Sequence, residues 1–306
     1  MEKGIEQPAL RSSCVRRWIG HLWREWTIES WHPIFPASVK PDPSGWDDDQ
    51  ATIAWIGHAT VLINFFGIKI LTDPVLFPRI GIRLPGFTIG PKRLTAPALE
   101  FRELPKIDIV LLSHAHFDHF DLRTLHCFDE NTIVITAPNT RDLLRWTHLH
   151  DITELRWGER KSVKIPVGEV DIIAAPVKHW GARRNRDVHR GYSGYLLERN
   201  GRRILFTGDT AFTDGFAELN ERRPIDVVIM SIGAYNPWIR SHCTPEQAIE
   251  IANAIGARFI VPMHHQTFRL SFEPLREPIE RFEVALRNQP ERIALREIGE
   301  TFVLPL

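Results

Sequence analysis

A chain of 306 residues, 43% of them hydrophobic, carries enough apolar material for a substantial core. Its 38 Lys and Arg balance 38 Asp and Glu, so no global field draws it to nucleic acid or to an anionic bilayer, and no nucleic-acid partner is expected. The cysteines, Cys14, Cys127 and Cys243, are odd in number and far apart, which argues against a disulfide framework and for a reducing, cytoplasmic location, peripheral to a membrane at most. No apolar signal region opens the chain and no uncharged apolar run reaches the length of about 18 residues that a spanning helix needs.

In chain order, Cys14, Trp18, Leu22 and Trp26 step by four with Val15, Ile19 and Trp23 beside them, while Arg11, Arg16, Arg17, Arg24 and Glu25 fall largely elsewhere. This predicts an amphipathic helix whose Trp-rich stripe either packs on the rest of the chain or lies on a membrane surface. Pro41, Pro43, Ser44, Gly45 and Asp47 to Asp49 mark a connector, so residues 1–50 form an N-terminal helix and connector and residues 51–306 the main domain.

Short β-type runs follow at 51–57, 60–66 and 68–71, the last ending at Asp73 before Pro74. Residues 74–105 are a long Pro- and Gly-rich insert that mixes Arg79, Arg83, Lys92 and Arg93 with Leu76, Phe77, Leu84, Phe87 and Ile89. That mixture suits a solvated charged loop and equally a cradle for an anionic head group with an apolar tail. The apolar run 107–112 then breaks into His114, His116, Asp118, His119 and Asp121. Residues two apart share a face in extended backbone, so His114, His116 and Asp118 converge while a turn brings in His119. Imidazole and carboxylate suit zinc, with iron and manganese as alternatives, and this one segment offers more donors than a single tetrahedral ion needs, which points to two ions.

Beyond it, Asp121 is placed to cap a helix over 122–128; a strand at 132–136, a helix at 140–148 and strands at 152–157, 162–165 and 170–175 complete an alternating pattern of α/β class. Strand 170–177 runs out at His179-Trp180, and the basic loop Arg183, Arg184, Arg186, His189, Arg190 is either solvated or suited to phosphate capture. Asn200-Gly201 signals a type I′ hairpin between strands 192–197 and 203–206, and the second strand delivers Asp209 beside Gly208. A strand at 226–232, then Tyr235 and His242, a helix from Pro245 to about Ile255 and a strand at 258–261 lead to His264-His265. Two adjacent histidines cannot both face one ion from extended backbone, so the residues alone leave His264 and His265 as alternatives. One helix around 279–288 and two closing strands end the chain.

HAHFDH matches the HxHxDH signature of the metallo-β-lactamase superfamily, which the chain resembles. The resemblance implies a four-layer αββα sandwich for residues 51–306 as catalytic domain. It also implies His114, His116 and His179 on one divalent ion, Asp118, His119 and His264 on a second, Asp209 shared, and a bridging hydroxide as nucleophile. Asp73 is implied as a residue that hydrogen-bonds the ligand loop. The phrases WIGHAT (55–60), LTDPV (71–75), GPKR (90–93), ELPKID (103–108), HW (179–180), GDT (208–210) and IGAYNP (232–237) are similar to the branch containing N-acyl phosphatidylethanolamine-hydrolysing phospholipase D and its bacterial relatives. HHQTF stands where that branch has HWGTF.

The expected function is therefore hydrolysis of a phosphodiester in a phospholipid, with Asp118, Asp209 and His242 as catalytic groups and His58, Tyr235 and His242 bordering substrate. The alternatives are a lactonase resembling ascorbate-phosphate lactonase and a slow metal-dependent binding or sensing module. The absence of GxxxxGK and GxSxG motifs leaves nucleotide-driven transfer and serine acylation without support. The oligomeric state is not legible.

Overall fold

A computed structural model of the chain describes residues 31–184, 186–216, 219 and 223–305, so the helix expected over 14–26 lies outside the described residues. The chain lays down β1 (Ala51–Gly57), β2 (Thr60–Phe65) and β3 (Ile68–Thr72) as an antiparallel meander. It then detours through a hairpin, β4 (Ile82–Leu84) and β5 (Phe87–Ile89), and returns with β6 (Ile109–Leu112), β7 (Ile133–Thr136) and β8 (Ile152–Glu154), which run parallel from β3 outward. A second set follows: β9 (Arg160–Ile165), β10 (Gly168–Ala175), β11 (Gly194–Arg199), β12 (Arg202–Phe206), β13 (Val227–Ser231) and β14 (Phe259–Met263). Finally β15 (Thr301–Val303) pairs with β1. The resulting orders are β15-β1-β2-β3-β6-β7-β8 in one sheet and β14-β13-β12-β11-β10-β9 in the other.

Alternation along the strands dictates how the sheets stack. Ile109 and Leu111 of β6 enter a core shared by both sheets, together with Ile63, Ile70, Ile172, Leu197, Phe206 and Ile229. Their neighbours Val110 and Leu112 face the other way, onto Phe120, Leu125, Phe128 and Leu144. On the far side of the second sheet, Leu205, Val228, Met230 and Ile260 meet Ile249, Ile251, Ile279 and Phe282 of α2 (Pro245–Ala254) and α3 (Glu277–Ala285). A strand buried on both faces is apolar throughout, as β6 is. The expected four layers are present, and among the described residues the outer layer over the first sheet consists of α1 (Leu122–Leu125), a 3₁₀ turn and loops.

Several expected elements are corrected. The helix expected over 140–148 is a single 3₁₀ turn, Arg141–Leu144. Thr140 Oγ1 donates to the Ala137 carbonyl and Thr147 Oγ1 to that of Leu144, local side-chain bonds that compete with a helical ladder. The helix from Leu122 ends at Leu125, and the Asp121 side chain, placed to cap it, instead accepts from Arg123 Nε and Thr124 Oγ1. Of the two closing strands only β15 forms; Ile293 makes an isolated bridge to Ile260. The expected hairpin at Asn200-Gly201 is present, with φ of 48° and 74°.

Asp73, the HAHFDH turn, His179, Asp209 and His264 follow the C-terminal ends of β3, β6, β10, β12 and β14. Replacing Leu111, buried between the sheets, with Ala is expected to cost about 2–5 kcal/mol in urea denaturation. Val284→Ala on α3, where the side chain is 65% exposed, is expected to stay within about 0.5 kcal/mol.

Candidate metal centre

The side chains delivered by these strand ends meet in two groups. In the first, His114 Nε2 lies 2.8 Å from His116 Nδ1, which in turn lies 3.4 Å from His179 Nε2. In the second, His119 Nε2 and His264 Nε2 are 3.1 Å apart, and Asp118 Oδ2 is 3.4 Å from each. Asp209 Oδ2 completes this group at 3.0 Å from His119 and 3.2 Å from His264, and reaches towards the first group at 3.9 Å from His179 Nε2. A tetrahedral ion with bonds of about 2.0–2.2 Å has ligand–ligand edges of about 3.3–3.6 Å. The separations within the two groups, 2.8–3.4 Å, sit at or somewhat below such edges, and His114, His116 and His179 on one side and Asp118, His119 and His264, with His58 beside them, on the other are sets that could hold a metal ion.

Three of the rings, His114, His119 and His179, have their outward nitrogen tied down, which fixes the atom each turns inward. His119 Nδ1 donates to Asp73 Oδ2 at 2.7 Å, His179 Nδ1 to the Ser241 carbonyl at 2.8 Å, and His114 Nδ1 to Ser113 Oγ at 2.9 Å. Ser113 Oγ donates to Asp73 Oδ2, and the Ser113 amide donates to Asp73 Oδ1 at 2.7 Å. Each bond fixes a tautomer whose other nitrogen carries a lone pair towards the centre. His119 Nε2, whose tautomer is fixed in this way, faces His264 Nε2 across 3.1 Å, and two lone pairs at that distance would repel unless a cation or proton lay between them, which is the fit of this donor set to a metal.

Electrostatics separates the groups. Burial, reinforced by neighbouring imidazoles, pushes His114 well down and His116 to about 3, and burial lowers His179, so the first group is neutral. In the second, desolvation of His119 and His264 is overridden by Asp209 and Asp118, which raise His119 well above its usual value and His264 to about 9. Desolvation of Asp118 and Asp209 is likewise outweighed by the histidines, which hold both carboxyls well below the usual range.

Gly208 permits the close approach at Asp209, since a Cβ there would lie 2.6 Å from Ser113 Cβ. His58, Asp73 and His264 adopt φ of 56°, 32° and 65°, a strained region for residues with a side chain.

The alternatives at the last strand end resolve by packing. His264 faces the cluster, whereas the His265 ring packs on Trp55 at 4.5 Å. His242, 8% exposed, places Nδ1 3.8 Å from Asp209 Oδ2 and its ring 5.1 Å from that of His179. His58, expected to border substrate, is 1% exposed; its Nε2 donates to Asp118 Oδ2 at 3.0 Å and its ring lies 4.0 Å from that of His264. It braces a donor residue. Tyr235 commits its hydroxyl to Glu277 at 2.7 Å and accepts from Arg281, both on α3.

The basic loop is corrected too. Arg183 lies over the Phe117 ring at 4.0 Å and donates to the carbonyls of Ala115 and Phe120, so it clamps the HAHFDH turn. Arg190 forms a two-pronged pair with Asp142, leaving Arg184 and Arg186 exposed. In the insert, Arg93 is 1% exposed and donates to the carbonyls of Val75, Phe77 and Thr95. Ser113 and Ser241 were missed: Ser113 was visible as the residue between strand and signature, while Ser241 acts through its backbone, which no residue type betrays.

Comparison with known proteins gives a match to the β-lactamase superfamily domain over residues 69–265. The chain is 33% identical over 230 residues to N-acyl-phosphatidylethanolamine-hydrolyzing phospholipase D 1 of Caenorhabditis elegans, covering 70% of this chain and 63% of that protein. It is 31% identical to the mitochondrial N-acyl-phosphatidylethanolamine-hydrolyzing phospholipase D of Saccharomyces cerevisiae, covering 81% of this chain and 54% of that one. Among solved structures it is similar to CmlA, a diiron β-hydroxylase from Streptomyces venezuelae, with a TM-score of 0.61 and 20% identity over 84% of this chain and 54% of that one.

Asp73→Asn is expected to weaken divalent-metal affinity about 10- to 100-fold in competition with a chromophoric chelator, and unchanged affinity would show that Asp73 does not orient His119 and His114. In the metal-free protein His119 and His264 hold protons that an entering cation must displace. Calorimetric zinc titration in buffers of different ionisation enthalpy should register proton release at neutral pH. Because His264 is protonated below about 9, its share of that release should fade as the pH passes that value.

Proposed function

The chain belongs to the metallo-β-lactamase superfamily and has its metal-dependent hydrolase fold, and we propose that it is a binuclear phosphodiesterase of phospholipase D type acting on N-acyl phosphatidylethanolamine-like lipids. The observation that carries the binuclear reading is Asp209, whose Oδ2 sits within 3.2 Å of both second-group imidazoles and 3.9 Å from His179 of the first. The substrate reading is supported by the activity for which the worm and yeast relatives are named. It is also supported by apolar exposure along the site segments: Trp180, half-exposed, lies 4.4 Å from the His116 ring, Phe212 is exposed three residues after Asp209, and Ile239 is exposed three residues before His242.

In this reading His114, His116 and His179 hold one divalent ion and Asp118, His119 and His264 the other, with Asp209 between them; the N/O donors suit zinc, iron or manganese. Two such ions supply a water nucleophile near neutral pH and neutralise charge on the phosphoryl oxygens. The protein's own groups do the rest. Asp73 and Ser113 lock ring orientation, and His58 holds Asp118 in place. His242, kept neutral by burial, directs an Nδ1 without a hydrogen-bond partner among the described residues towards Asp209, within reach of a substrate oxygen. Water adds to phosphorus as the bond to the head-group oxygen breaks, giving a phosphate monoester and an alcohol.

Metal-loaded protein is expected to contain two ions per chain and to hydrolyse bis(p-nitrophenyl) phosphate and N-acyl phosphatidylethanolamine in mixed micelles. Activity confined to lactones would replace the phosphodiester reading with a lactonase, and bound ligand without turnover would indicate a binding module. Asp209→Ala is expected to lower kcat by at least about a hundredfold and to reduce bound metal in elemental analysis; full activity in that variant would remove the shared-carboxylate role.

A further inference from the structure

We propose that the outward face of the β4–β5 hairpin is a membrane-docking surface that seats the protein on an anionic bilayer. The register pairs Ile82 with Ile89 and Leu84 with Phe87, while Arg83 pairs with Thr88. Side chains two apart share a face, so one side of this ribbon is Ile82, Leu84, Phe87 and Ile89 and the other Arg83 and Thr88. The apolar side looks outward: the four are 48%, 37%, 56% and 39% exposed. The reverse side is tied down, with Thr88 Oγ1 accepting from Arg123 Nη1 at 3.0 Å and Arg123 donating also to the Arg79 carbonyl. A ribbon held at Thr88 on its polar side, with its apolar side presented, is oriented for a partner.

Charge and size select the partner. Residues 78–99 contain Arg79, Arg83, Lys92 and Arg93 and no acidic residue; Arg93 is buried, Arg83 is exposed on the ribbon, and Arg79 and Lys92 form the bridge at its base. An apolar tip above a cationic base matches the order of acyl boundary and anionic head groups in a leaflet. Four side chains on three-residue strands form too small a patch for a stable protein interface, which takes about 800 Å² from each partner. A hairpin of this length spans about 10 Å, the depth to which interfacial elements enter a leaflet. The base of the ribbon continues into further apolar exposure: Lys92 Nζ donates to the His32 carbonyl and Phe35 bridges Thr95, with Trp31 87% and Phe35 60% exposed. Arg123 also pairs with Asp121, just past the HAHFDH turn, so the ribbon is fastened beside the loop that carries four donor residues. A bilayer-facing hairpin deepens the lipid reading above, but its apolar face and cationic base stand whether or not that reading holds.

The test is co-sedimentation of the full chain with vesicles of phosphatidylcholine containing about one third phosphatidylglycerol. The wild-type chain should bind, and Leu84→Asp/Phe87→Asp should bind at least about tenfold less, with unchanged thermal unfolding, metal content and hydrolysis of soluble bis(p-nitrophenyl) phosphate. Emission of a Phe87→Trp variant should shift to the blue on vesicles beyond the shift of the wild-type tryptophans. Equal sedimentation of the double variant and the wild type, or no added shift from Trp at position 87, would overturn the proposal. Equal binding to pure phosphatidylcholine would overturn the anionic preference. A wild-type dimer in light scattering that the double variant converts to monomer would assign the face to a second copy of the chain instead.

Discussion

The carboxylate of Asp73 has no access to solvent, yet accepts hydrogen bonds from the Ser113 amide, the Ser113 hydroxyl and His119 Nδ1. A buried carboxylate with fewer partners would be strongly unfavourable, so these bonds and the strand pairing that permits them stand or fall together. β3 and β6 run parallel side by side, with Thr72 opposite Leu111, and both chains leave the sheet at the same level. Asp73 then reaches across to the neighbouring strand's exit and sets the rings of His119 directly and His114 through Ser113. The remaining donors arrive from the facing sheet, so the packing between the sheets determines whether the two halves of the centre meet.

That meeting is asymmetric. One half is three imidazoles made neutral by burial; the other is two imidazoles held charged by two carboxylates. Cations entering the two halves encounter different fields, one of lone pairs alone and one of formal negative charge already compensated by protons. Backbone strain is concentrated on the same side: His58 and His264 both have positive φ, and the amide of His264 donates to the carbonyl of His58. Each such residue costs on the order of 1–3 kcal/mol, which the surrounding sheets must offset.

Much of this was legible in the sequence because strand ends announce themselves. An apolar run that stops at His, Asp or Gly-Asp has no packing explanation for its last residues; that pattern singles out Asp73, His114, His179, Asp209 and His264, whose roles come from the family resemblance, and the fold brings these strand ends together. What could not be read were contacts set by the tertiary path. Arg183, Arg190 and Arg93 look like anion binders in sequence, but their guanidinium groups are satisfied by carbonyls and by Asp142, and a backbone acceptor leaves no mark in residue type. His58 was read as bordering substrate from the resemblance of its WIGHAT phrase, and what residue type could not show is that the β1–β2 turn folds it onto Asp118. The 140–148 helix failed for a local reason: apolar periodicity was sufficient, but the threonines at its two ends turn their hydroxyls onto nearby carbonyls.

The Arg183 clamp bears on ion choice. With its guanidinium stacked on Phe117 and bonded to the carbonyls of Ala115 and Phe120, the turn bearing His114, His116, Asp118 and His119 is braced at both ends by contacts that need no cation. A socket rigid in this way discriminates by ionic radius as well as by donor type. Calcium, which takes oxygen ligands at about 2.3–2.6 Å, would require these donors to spread further than an ion bound at about 2.0–2.2 Å would.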